Sequence, residues 1–291
     1  MSVAMRATFL FCLFAAVSMA AERPVDPTFL YRNTNKAAFQ PSDVSTPTCG
    51  YRPLFGEGDE QTSIVKGVAR YGEIVVQPGG QCKTVSHEGE EQIYYVLEGA
   101  GSVSYRGELA AVRKGDFMYF APTTEHAAGN PSGEPLRLIV MGFKTPKDLE
   151  DFGAPVKLPI AHESEAKKQV VGNHPPSTLY QLLLGATNSR RDLLSVGHTV
   201  TSLFIMEFTP GGTNQPHHHA TEEEVYLLLE GSGEMVAGGG MDGVEGRHPA
   251  QPGDAYFYRL NATVGFYSDE GASAGKARIL AVRSRYPGLA R

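Results

Sequence analysis

Cysteine is scarce. The chain has 291 residues and three cysteines, which rules out a small scaffold held together by many bridges. Cys12 falls in an N-terminal apolar run, so Cys49 and Cys82 either pair with each other or stay free thiols. Positive charge is also short: 26 Lys and Arg face 32 Asp and Glu, for a net charge of −6. With no basic cluster, a nucleic-acid face is excluded. No long amphipathic period appears, so a helical bundle is excluded too. The longest apolar run, Phe9 to Val17, is too short to span a bilayer. It follows Arg6 and ends at the small residues around Ser18-Met19-Ala20, the layout of a secretory signal peptide cut near Ala20. The expectation is a secreted or periplasmic protein with no membrane partner.

What remains is 41% hydrophobic with 33 glycines, suited to a packed core with many tight turns. Two stretches read alike. One runs Pro78-Gly79-Gly80, His87, Glu90-Glu91-Gln92-Ile93-Tyr94, Leu97-Glu98-Gly99. The other runs Pro210-Gly211-Gly212, His217-His218-His219, Glu222-Glu223-Glu224-Val225-Tyr226, Leu229-Glu230-Gly231. Gly79 and Gly211 are 132 residues apart, as are Gly99 and Gly231. Further on, Gly115-Asp116 matches Gly253-Asp254 at 138 residues, and the glycine-rich run Gly238 to Gly243 accounts for the longer loop. A fixed period marks two copies of one domain. Short β-branched and aromatic runs ended by Gly, Pro and Asn turns predict an all-β chain of two tandem jelly-roll barrels. The division reads as a signal peptide (1–20), an N-terminal arm (21–60), a first domain (61–145), a linker (146–194) with a short helix near Glu163–Lys168, and a second domain (195–291).

The motifs resemble those of the cupin superfamily in its two-domain form. Copy two carries the first motif in full as Gly211, His217, His219, Glu224 and Gly231. Copy one carries the second as Gly115-Asp116, Pro122, His126 and Asn130.

On a strand, residues two apart face the same way, so His217 and His219 can both point into the barrel while His218 points out. Glu224, at the start of the next strand, can reach the same point. Two imidazoles and one carboxylate form a ligand set for a divalent transition metal, with Fe or Mn favoured and Zn, Ni, Co or Cu possible. The resemblance implies a fourth histidine from the second motif, but the corresponding residue is Val264. In copy one the four positions hold Val85, His87, Gln92 and His126. His87, Gln92 and His126 form at best a weak second site, and Glu91 should face the other way by alternation. Tyr226 and Tyr258 are weak candidates for orienting substrate or donating a proton.

The expected function is an exported, metal-dependent enzyme acting on a small organic substrate, with dioxygenase-like oxidoreductase chemistry favoured. The alternatives are decarboxylation, hydrolysis of a ureido compound, or small-ligand binding without turnover. By analogy to the family, a homo-oligomer is a further expectation.

Overall fold

The computed structural model describes residues 27–60, 63–146, 153–239, 245–271 and 274–287. The expected signal peptide, and residues 240–244 of the glycine-rich loop, lie outside them. No helix among the described residues is long and apolar enough to cross a membrane.

Each copy forms two facing sheets, antiparallel but for one pairing in domain two. In domain one, six strands run in the order Ile160–His162, Asp116–Phe120, Glu90–Glu98, Leu136–Lys144, Val68–Val76, Cys49–Gly56. They face Glu108–Arg113, Ala100–Tyr105 and His126–Gly129. In domain two the larger sheet runs Phe29–Asn33, Asp254–Tyr258, Glu222–Glu230, Ala277–Arg285, Val200–Phe208, Thr178–Ala186, Lys168–Gln169. Leu194–Gly197 pairs in parallel with Thr178–Ala186. The smaller sheet is His217–His218, Thr263–Ser268, Gly233–Gly238, Glu245–Ala250.

Two of these strands correct the expected boundaries. Cys49–Gly56, assigned to the arm, belongs to domain one, and Thr178–Ala186, assigned to the linker, belongs to domain two. Both pair along their length with a core strand, so tertiary pairing decides their place. The helix expected near Glu163–Lys168 is a single 3-10 turn, Glu163–Glu165, followed by the short strand Lys168–Gln169.

The copies also exchange strands. Phe29–Asn33, which leads into copy one, pairs with Asp254–Tyr258 of copy two. Ile160–His162, which leads into copy two, pairs with Asp116–Phe120 of copy one. Side-chain alternation then divides the apolar residues into three cores. In Glu222–Glu230, Val225 and Leu227 pack between the domains, while Tyr226 and Leu228 pack inside their own barrel. In Glu90–Glu98, Ile93 and Tyr95 face the other domain, and Tyr94 and Val96 face the barrel. Strands covered on both faces lack a simple polar alternation.

The same alternation sends Glu91 and Glu223 across the domain boundary. Glu91 is fully buried and accepts backbone N–H bonds from His198 (2.8 Å), Thr199 (2.7 Å) and Val200, plus the Tyr119 hydroxyl at 2.9 Å. Glu223 accepts from Lys66 (2.9 Å), Gly67 (2.6 Å) and Val68 (3.3 Å). The two clasps are related by the repeat. Glycine suits position 67, since a Cβ there would stand 2.9 Å from a Glu223 carboxylate oxygen.

Cys49 and Cys82 form a disulfide, with Cα atoms 5.0 Å apart and both residues buried. It ties the outer strand of domain one to the segment leading to His87. A bridge closing 33 residues stabilises by about 3 to 4 kcal/mol on chain-entropy grounds. Reductant should therefore shift the denaturation midpoint of the wild type downward and leave Cys49→Ser/Cys82→Ser unmoved. Equal midpoints for the wild type with and without reductant would contradict that role.

Candidate metal centre

His217, His219 and Glu224 converge. One ligand atom from each lies within 4.8 Å of the others. The register behind this matches the repeat: His217 pairs with Val264, as Val85 pairs with His126 in domain one. A valine thus stands where domain one has a histidine. His218 turns outward and is exposed, as expected.

Hydrogen bonding fixes how the imidazoles present themselves. His217 Nδ1 lies 2.9 Å from the carbonyl of Gln215, which sits in the left-handed region at φ 57. A carbonyl only accepts, so Nδ1 carries the proton and Nε2 the lone pair. His219 Nε2 and Glu224 Oε2 approach to 3.0 Å, yet both are buried and neither has a hydrogen-bond partner of acceptable geometry. Two such atoms this close share a positive partner, either a proton on His219 or a cation, and the convergence of His217 on the same point suits a cation. Burial alone would raise the Glu224 carboxyl, but His219, Arg283 and His217 outweigh it and hold the group below the usual carboxylate range. Burial lowers His217, favouring neutral imidazole. An ionised carboxylate is the form a metal requires, and His217 offers it the Nε2 lone pair.

The donors open onto a cavity of about 270 Å³. Tyr180, Leu182, Phe204 and Tyr226 supply wall, and Arg283, Arg191 and His174 supply polarity. Arg283 Nε is 3.8 Å from Glu224 Oε1, and its Nη1 is 3.4 Å from Glu222. Of the two candidate tyrosines, Tyr226 lines the cavity and Tyr258 does not. The Tyr258 hydroxyl is buried without a hydrogen-bond partner, its ring edge-on to Tyr226 at 5.5 Å. Sequence reasoning missed His174, Arg191 and Arg283. His174 and Arg191 come from segments read as linker, and Arg283 from the last strand, where no motif marks it.

Domain one is different. Its polar residues come together but bind one another. His126 donates from Nδ1 to the Thr124 carbonyl at 2.8 Å, and its Nε2 accepts from the Tyr94 hydroxyl at 3.1 Å. Gln92 Nε2 meets His87 Nδ1 at 3.0 Å and Glu90 at 3.1 Å. His87 Nε2 is held by Asp43 of the N-terminal arm at 2.8 Å. Asp43 also pairs with the buried Arg70, which binds Glu57 and Glu90 as well. Burial would raise the Asp43 carboxyl, but His87 and Arg70 hold it far below its ordinary value. Burial pushes His126 down to about 4. His87, Gln92 and His126 therefore do not present three free donors to one point.

Comparison with known proteins agrees with this architecture. The Cupin domain family matches twice, over residues 72–142 and 204–274. An uncharacterized protein of Methanocaldococcus jannaschii is 34% identical over 82 residues, which is 28% of this chain and 66% of that protein. Among solved structures, the putative glyoxylate induced protein of Pseudomonas aeruginosa has a TM-score of 0.69 at 15% identity, covering 94% of each chain. Protein Ylba of E. coli has a TM-score of 0.66 at 15% identity, covering 94% of this chain and 97% of that one. A mutant of Bacillus subtilis oxalate decarboxylase has a TM-score of 0.64 at 14% identity, covering 91% and 79%. At these identities the likeness is one of fold.

Proposed function

This chain is a two-domain cupin, and on that premise we propose that it is a metal-dependent enzyme whose single active centre lies in domain two. His217, His219 and Glu224 would hold one divalent transition metal. The observation that carries the reading is the pair of orphaned, buried atoms, His219 Nε2 and Glu224 Oε2, 3.0 Å apart. Bound there, such a metal supplies Lewis acidity and, as Fe or Mn, a redox couple.

The chain's own residues do the rest. Arg283, 3.8 Å from Glu224 Oε1, balances part of its charge, after His219. Phe204 and Leu182 exclude water from the cavity wall, which strengthens polar contacts within. The cavity's size suits a small organic molecule with adjacent oxygen donors. Three protein donors leave coordination positions open, which favours oxidoreductase chemistry of the dioxygenase kind. The oxalate decarboxylase of Bacillus subtilis, which shares this fold, has Mn(II) centres, so loss of CO₂ is the reaction to test beside oxygen uptake. Export to an oxidising compartment is part of the same reading, supported by the disulfide.

The test is a panel of oxalate, small 2-hydroxy acids and catechols, offered to protein loaded with Fe(II) or Mn(II). Oxygen consumption and CO₂ release are both followed. Turnover that disappears with EDTA and with Glu224→Gln is the expected result. Tight binding across the panel without turnover would replace the enzyme reading with a ligand-binding one.

A further inference from the structure

Two of the cavity's polar groups have their hydrogens assigned by one residue, Asn214, which is fully buried. The backbone N–H of Phe266 donates to Asn214 Oδ1 at 2.8 Å. An N–H can only donate, so the amide orientation is fixed and Nδ2 carries the hydrogens. Nδ2 then donates to the Tyr226 hydroxyl at 3.0 Å. Tyr226 Oη is the acceptor in that bond, so its own hydrogen must go elsewhere. Tyr226 is fully buried against the cavity, and no acceptor among the described residues takes the hydrogen.

The carbonyl of the same residue acts on His174. His174 Nδ1 lies 2.6 Å from Asn214 O, so Nδ1 is the protonated nitrogen and Nε2 keeps its lone pair. The His174 ring stands edge-on to His217 at 5.5 Å and beside Tyr180 at 5.2 Å, on the same cavity. It is not among the three groups that converge within 4.8 Å. The ring lines the cavity beside the ligand set and outside it.

We infer that Tyr226 and His174 form a donor–acceptor pair that selects the substrate of domain two, with Asn214 as the positioning residue that fixes both polarities. The substrate class is a small metal-chelating molecule with one oxygen that accepts from Tyr226 and one N–H or O–H that donates to His174. A ligand lacking that hydrogen leaves His174 Nε2 unpaired and is disfavoured. This inference rests on the metal reading of the same site.

The test uses Co(II)-loaded protein, read by its visible absorption, with acetohydroxamate and N-methylacetohydroxamate as probes. Both chelate through two oxygens, and only the first has an N–H. The wild type should prefer acetohydroxamate by about tenfold, the scale of one hydrogen bond. Tyr226→Phe should weaken both probes about tenfold and keep the preference. His174→Ala should reduce the preference to about twofold or less. Asn214→Asp keeps an acceptor for Phe266 and the carbonyl for His174, but it turns Tyr226 around to donate to the new carboxylate. It should therefore mimic Tyr226→Phe. Cobalt content, measured by elemental analysis, should stay at the wild-type level in all three. If cobalt and both probes bind but His174→Ala leaves the preference intact, or Tyr226→Phe leaves affinity intact, this inference is wrong and the metal reading stands. Failure of cobalt to bind the wild type would remove both.

Discussion

Glu223→Ala lowers the free energy of unfolding by about 4 kcal/mol, and Glu91→Ala lowers it by a similar amount. Each carboxylate is a buried acceptor for three consecutive amides of the other domain. Removing it leaves those N–H groups buried without partners, at about 1 to 3 kcal/mol each before relaxation. Water entering the gap recovers part of the loss, which sets the net figure below the sum. Glu223→Gln should be milder, because one oxygen still accepts while the new NH₂ group faces other donors. The measurement is chemical denaturation followed by near-UV signal and by fluorescence of an introduced probe in each domain. The wild type should unfold in one transition and Glu223→Ala in two, because the reciprocal clasps couple the domains. A shift below about 1 kcal/mol would mean that the carboxylates merely fill space. Glu223 also precedes Glu224 on one strand, so the clasp that joins the domains braces the residue that faces the metal cavity.

Metal affinity gives the second large effect. His217→Ala, His219→Ala and Glu224→Gln should each weaken it by more than about 100-fold, beyond the ~10- to 100-fold that loss of a supporting contact costs. Competition with a chelating dye reads this directly. His87→Ala and His126→Ala in domain one should leave metal content at the wild-type level. There His87 is engaged by Asp43 and Gln92, and His126 by Thr124 and Tyr94. Loss of metal from a domain-one variant would show that the site had been assigned to the wrong barrel.

These two results fall on opposite sides of what the sequence makes legible. The ligand triple is legible because strand geometry is local. His217 and His219 are two residues apart, Glu224 is five further on, and the repeat supplies the frame. The missing fourth histidine is legible for the same reason: counting along the repeat gives Val264, and the register places it beside His217. Alternation likewise sends Glu91 away from its barrel. Its destination is not legible, since the amides it caps lie more than a hundred residues away. Nor is the role of Asp43, which occupies His87 from an arm that has no periodicity. The run Thr178-Leu-Tyr-Gln-Leu-Leu-Leu-Gly-Ala186 had the apolar, aromatic character of a strand, but the prolines before it drew it into the linker. His174 lies beyond sequence reasoning, because only the folded chain brings a proline-rich segment onto the mouth of the barrel.

The central claim is one metal, in domain two, held by three side chains. Elemental analysis of the mature protein, purified without an affinity tag or added metal, tests it most directly. The account predicts about one equivalent of Fe or Mn per chain, lost in Glu224→Gln. No bound metal in the wild type, even after incubation with several divalent ions, would contradict it, as would full occupancy in the variant.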